Sequence, residues 1–150
     1  MATDRQTEMT ASAIDEFLGR EETGVLSLAR EDAPYAIPIS YGYDSDARRI
    51  YTRLVSTPES EKRQFLTSSP RARIVVYEEE GETYRSVIAI GTLERIDPAE
   101  LTPETIEQYG RAKRPLFEIW AEPKADLNIE LYTLEPESIS GRRIEIDRDT

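Results

Sequence analysis

From Tyr35 to Tyr43 every second residue is large and apolar: Tyr35, Ile37, Ile39, Tyr41 and Tyr43. A period of two places all five on one face of a β-strand, and a helix would scatter them. Pro38 stands in the middle of the run. Proline has no N–H for a ladder, so this strand is an edge, carries a bulge, or meets a ligand where a neighbour would be.

The flanking sequence extends the pattern. Val25, Leu26 and Leu28 begin a preceding strand, and Arg30-Glu31-Asp32-Ala33 makes a polar turn before Pro34. Asp44-Ser45-Asp46-Ala47 turns the chain again into a strand over 49–54. Ser56-Thr57-Pro58-Glu59 then combines a hydroxyl cap, a first-turn proline and a nearby acid, which predicts a helix to about Ser68 that buries Phe65 and Leu66. Further strands are expected over 73–79, 83–96, 127–134 and 139–146. Glu80-Gly81-Glu82 is a hairpin turn, and Gly91 a bend or barrel corner. Thr10 caps a short helix whose stripe is Ile14, Phe17 and Leu18. Residues 1–8 are polar and expected to be disordered. Residues 98–110 and 114–121 read as short helices within one excursion, 98–125, of a single domain spanning 1–150. The fold class that results is mainly β with peripheral helices, a six- to seven-stranded antiparallel barrel.

Composition narrows the chemistry. The chain has no Cys and no His, so thiolate nucleophiles, disulfides, imidazole bases and most zinc or haem sites are excluded, and no metal site is expected. Thirty acidic residues against nineteen basic ones give a net charge of -11, which argues against nucleic acid or an anionic membrane as partner. No apolar run reaches membrane-spanning length and MATDRQTEMT lacks a signal-peptide core, so the expected location is cytoplasmic. Only three of the nineteen cations are lysines. An acidic, Arg-rich and Lys-poor surface resembles proteins of salt-loving organisms, and predicts a halophilic fold that weakens at low salt.

One of those lysines, Lys62, lies within the first two turns of the capped helix. A helix N-terminus carries unpaired N–H groups and partial positive charge, so it suits a phosphate, with Lys62, Arg53 and Arg63 adding charge and Thr52 and Ser56 adding hydroxyls. Lys62 could equally pair with Glu59 on the surface. The Pro38-Ile39-Ser40-Tyr41 strand could offer free backbone groups to a flat polar-edged ring, or be an edge guarded by its proline. Trp120 and Tyr109 could cover an aromatic ligand or pack in a core. Arg142-Arg143 could meet an anionic substrate or form a surface ion pair.

Taken in order, the segments GVLSL, PYAIPISY, IYT, EK, PRARIVV and YRSVIAIG resemble the flavin-binding split-barrel superfamily of pyridoxamine 5'-phosphate oxidase-like proteins. The likeness is to small prokaryotic members of the nitroimidazole-resistance type, with a haloarchaeal composition. It implies a split β-barrel homodimer with FMN in a groove at the subunit interface. It further implies that Ile37, Pro38, Ile39, Ser40 and Tyr41 give backbone contacts to the isoalloxazine ring. Tyr51 and Thr52 would sit by the ribityl phosphate, Lys62 would pair with that phosphate, and Ser86 would face the flavin across the interface. The oxidases proper carry Arg where this chain has Ala36 and again where it has Glu61, and their C-terminal substrate motif uses Arg and His. Pyridoxamine 5'-phosphate oxidation itself is therefore not expected, and no catalytic residue is assigned.

Three functions follow from the resemblance. The first is an FMN-dependent oxidoreductase passing hydride or electrons between a reduced nicotinamide or deazaflavin and a small oxidised molecule. The second is a non-catalytic flavin protein serving as store, sensor or electron carrier. The third is a cofactor-free dimeric interaction module.

Overall fold

The run Tyr35–Tyr43 does not form one strand. In the computed structural model, which describes residues 5–56, 65–66, 70–112 and 128–146, it divides at Tyr41 into two. The described elements are β1 (Arg5–Glu8), α1 (Ala11–Arg20), β2 (Thr23–Arg30), β3 (Ala33–Ser40), β4 (Gly42–Asp44), β5 (Arg49–Ser56), β6 (Arg71–Glu80) and β7 (Thr83–Ile96). A single 3-10 turn (Pro98–Glu100), α2 (Pro103–Arg111) and β8 (Asn128–Glu145) complete them.

The sheet runs β3–β2–β6–β7–β8–β5–β4, with β1 added beside β8, and every pairing is antiparallel. Its two ends, β3 and β4, are consecutive in the chain, so the bend at Tyr41 joins the first strand of the path to the last and wraps the sheet into a barrel. The backbone N–H of Tyr41 still donates to Glu22 O (3.0 Å), while the Thr52 hydroxyl on β5 donates to Ser40 O (2.8 Å). These two bonds hold the closure from either side.

The alternation predicted for 35–43 is observed: Ile39, Tyr41 and Tyr43 are buried in the core, and Tyr35 and Ile37 pack against it. Their neighbours in that core come from the inner faces of the other strands, including Leu26, Leu28, Ile74, Val76, Val87, Leu93 and Leu134. α1 covers one end of the barrel with Ile14, Phe17 and Leu18, as its stripe predicts. Thr10 caps it through Ala13 N. Gly141 lets α1 lie close, since a Cβ there would meet Met9 Sδ at 2.9 Å and Ile14 Cγ1 at 3.0 Å.

Eight strands replace the six or seven expected. Residues 5–8, expected to be disordered, form β1, whose partners are Arg142 to Glu145 of β8. The strands expected over 127–134 and 139–146 are one continuous β8, bent by an irregularity opposite Ile90 and Gly91. The described part of the helical excursion, 98–112, is a 3-10 turn followed by α2. Of the helix expected over 56–68, Ser56 ends β5 instead, and the rest lies outside the described residues apart from Phe65 and Leu66; the helix over 114–121 lies wholly outside them.

Candidate functional site

β3 pairs with β2 alone, leaving its other side as the open end of the sheet path. Residue parity determines which backbone groups face that side. Tyr41 and Glu22 continue the β2–β3 register and share a hydrogen bond, so Tyr41, Ile39 and Ile37 turn their N–H and C=O toward β2. The residues between them, Ser40, Pro38, Ala36 and Pro34, turn theirs away. Thr52 taking Ser40 O from the far side agrees with that parity. Both prolines thus occupy positions where β2 asks for no N–H. Of the three readings of Pro38, the continuous β2–β3 register removes the bulge, and the edge is observed. The C=O of Pro38 and the N–H and C=O of Ala36 point to the side where no further strand of the described sheet pairs with β3.

β5 runs beside this edge. Thr52 is only 1% exposed, and its hydroxyl is engaged with Ser40 O. Tyr51 is buried, with the Tyr109 ring of α2 edge-on to it at 5.3 Å and 80°. Tyr109 is therefore a packing residue, and its hydroxyl donates to Tyr132 O (3.1 Å). Burial chiefly, with the Asp44 carboxylate, raises the Tyr51 phenol above its ordinary pKa, while Arg49 acts in the opposite sense. Arg53 Nε donates to Ala112 O (2.8 Å) just past α2. α2 in turn lies so close to β4 that a Cβ on Gly42 would meet Gln108 O at 2.3 Å.

Lys62, Arg63, Glu61 and Trp120 lie outside the described residues. The chain is described again at Phe65, whose ring stacks on Tyr35 of β3 (5.1 Å, 21°). On the other side of Lys62 in the chain, β5 ends at Ser56. No sequence signal pointed to that stack, because Tyr35 and Phe65 are thirty residues apart in the chain.

Ser86 does not join this group within one chain. It lies on β7 opposite Tyr77 of β6 and Arg142 of β8, and β6 and β2 stand between it and β3. It does share a sheet face with Pro38. Inner positions of β2, β6 and β7 are buried, so Val25, Val75, Ile88 and Ser86 face outward with Pro38. Pro38, Val25, Val75 and Ile88 are register partners across four strands, forming an apolar row on the outer face. Tyr77, 69% exposed, stands beside it. Among the described residues no group of His, Cys, Asp or Glu could hold a metal, and no helix is long and apolar enough to cross a membrane.

Comparison with known proteins fits this architecture. The FAD-binding protein mll6688 of Mesorhizobium loti superposes with a TM-score of 0.71 at 23% identity, covering 97% of this chain and 99% of its own. A candidate 5-nitroimidazole antibiotic resistance protein of Bacteroides thetaiotaomicron gives 0.69 at 16% identity, covering 97% and 92%. The FAD-binding protein of Mycobacterium smegmatis gives 0.66 at 17% identity, covering 94% and 100%. At these identities the likeness is one of fold, the split barrel. No curated protein is significantly similar in sequence. Residues 10–143 match the family described as pyridoxamine 5'-phosphate oxidase, so the chain belongs to that family.

Proposed function

We propose that this protein binds FMN as a homodimer and acts as an oxidoreductase on a small molecule. The observation that carries the proposal is the open side of β3. A flavin ring has a flat apolar body and an edge of alternating donors and acceptors. Ala36 N–H, Ala36 C=O and Pro38 C=O supply both kinds of partner, and Pro38 removes the donor that would invite another strand. Flavin binding by the Mesorhizobium and Mycobacterium proteins of the same fold supports the choice of cofactor class.

Within the run Ile37 to Tyr41, Pro38 C=O would hold the ring edge together with Ala36, while Ile37, Ile39 and Tyr41 turn their backbone groups to β2. Lys62, on the segment tethered to β5 at one end and to Tyr35 through Phe65 at the other, would meet the phosphate. Tyr51 and Thr52 would back that segment from within the barrel rather than donate freely, since Thr52 already bonds Ser40 O. The bound FMN supplies hydride or electron transfer, so a chain without His or Cys needs no nucleophile of its own. A second copy laid on the apolar row Pro38–Val25–Val75–Ile88 would bring its Ser86, on that same outer face, toward the cofactor.

The purified protein should be yellow and release FMN on denaturation. A colourless protein that gains no FMN in titration would overturn the proposal. Lys62→Ala should weaken FMN binding by roughly tenfold or more, as expected for a charge-assisted contact of ~1.5–3 kcal/mol. Val75→Glu should give a monomer in light scattering and lose FMN with it. Turnover of NADH or NADPH with a nitroaromatic acceptor separates the oxidoreductase from a flavin store or carrier.

A further inference from the structure

A second candidate site lies beyond β2 and β6 from β3 in the sheet order, between α1 and the strands β1, β8 and β7. Arg143 of β8 and Arg85 of β7 are direct register partners, flanked by Thr7 of β1 on one side and Glu78 of β6 on the other. This row sits on the inner side of the sheet, beyond Val87 and Gly141, where α1 covers the barrel end. Two like charges directly opposite each other in a sheet oppose its stability. Their pairing is more conspicuous in a chain with eleven surplus acids. A third guanidinium, Arg20 of α1, reaches over from above the Phe17 ring (5.3 Å).

These three arginines line a cleft of about 400 Å³ together with Glu8, Met9, Glu16 and Phe17. The existing ion pairs leave much of their donor capacity open. One carboxylate oxygen, Glu78 Oε1, receives both Arg20 Nη2 (2.5 Å) and Arg85 Nη1 (3.0 Å), and Glu21 and Glu80 stand only at 4.0 Å from Arg20 and 3.9 Å from Arg85, although each guanidinium has five N–H groups. Arg143 bonds Glu145 two residues along its own strand (2.6 Å). Glu8 and Glu16 on the lining oppose entry of a polyanion, so the cleft fits one oxyanion head rather than a nucleic acid.

We propose that this cleft binds a small organic oxyanion, a carboxylate or a phosphate ester. Its head lies between Arg143 and Arg85, where paired guanidinium forks match two oxygens of either group. Its apolar part lies along Met9 and Phe17. The proposal is independent of the flavin reading, because the cleft is lined by α1, β1, β7 and β8, whereas the flavin edge is β3, beyond β2 and β6 in the sheet order.

The test is calorimetric titration of the full-length protein with inorganic phosphate and with benzoate, at ionic strength held constant with chloride. Saturable binding of either is expected, weakened at least about tenfold in Arg143→Gln, whose fold is checked by circular dichroism. Arg142→Gln, the neighbouring residue on the other face, should leave it unchanged. No saturation above chloride would overturn the proposal. So would equal losses in the Arg142 and Arg143 variants, which would mean general attraction. Phosphate binding lost in Lys62→Ala and kept in Arg143→Gln would assign it to the flavin corner and also overturn the cleft.

Discussion

Single hydroxyls decide how this barrel closes. Thr52 is held between β5 and the carbonyl of Ser40, and Tyr41 at the same bend donates to Leu18 O (2.8 Å) under α1. Thr52→Val keeps the branched shape and leaves Ser40 O buried without its donor, so urea unfolding should show a loss of ~1–3 kcal/mol. A second residue-scale consequence concerns alkali. Burial is the main cause that raises the phenols of Tyr41, Tyr43 and Tyr109. For Tyr41 the Glu21 carboxylate adds to it, and for Tyr43 the hydrogen bond to Asp15 (2.6 Å) does. The folded state therefore favours the protonated phenols more than the unfolded chain does. Their contribution is complete below the unfolded value, about 10, and is lost as pH rises beyond it. Denaturation midpoints should be level from about pH 7 to about pH 9 and fall steeply above about pH 10, and Tyr43→Phe should make the fall shallower. An unchanged slope in that variant would mean that Tyr43 is not among the groups responsible. The apolar alternation of 35–43 was legible from the residues alone because it depends on near neighbours. The destinations of the hydroxyls were not, because Thr52, Tyr41 and Tyr109 find acceptors twelve or more residues away.

Strands and turns show the same division between local and distant causes. The β6–β7 hairpin was legible at Glu80-Gly81-Glu82, because Gly81 (φ 61°) supplies the left-handed residue of a two-residue turn. Gly91 was legible as a bend, and the reason lies on the partner strand. Ile90 faces Ser138 but Gly91 faces Pro136, so Glu137 is an extra residue in β8, and proline is tolerated at such a bulge. A Cβ at Gly91 would come within 2.2 Å of Glu135 O, which is backbone and cannot swing aside. Gly91→Ala should therefore cost ~1–3 kcal/mol in urea unfolding. Gly19→Ala, where a Cβ meets nothing, should be near neutral or slightly stabilising. The division of 35–43 into β3 and β4 was not legible, since an alternating run continues unbroken through Tyr41. Only the competing demands of β2 and β5 break it. β1 was missed for a related reason: its four residues are all exposed, and the ladder to β8 needs no apolar pattern.

Charge acts on the molecule as a whole. Ion pairs such as Arg71–Glu137, Arg111–Glu107 and Arg143–Glu145 are largely exposed, and exposed pairs contribute ~0–1 kcal/mol each. Salt weakens them. Against that small loss stands the mutual repulsion of a carboxylate surplus of eleven, which no pairing removes and which acts over the whole surface. Runs such as Glu78-Glu79-Glu80 with Glu82 concentrate that surplus at the β6–β7 hairpin, where Arg85 and Arg20 neutralise Glu78. The Debye length falls from ~30 Å at about 0.01 M to ~3 Å at about 1 M, below the spacing of most surface carboxylates. Screening the surplus should therefore outweigh weakening the pairs, and Tm should climb through that range. Sodium and potassium chloride should act alike, since the effect is screening and not a specific site. A flat Tm would mean that pairs and surplus cancel, and a falling one that the pairs dominate. Glu79→Gln and Glu82→Gln together should raise Tm at about 0.01 M salt and change little at about 1 M, where the repulsion they relieve is already screened.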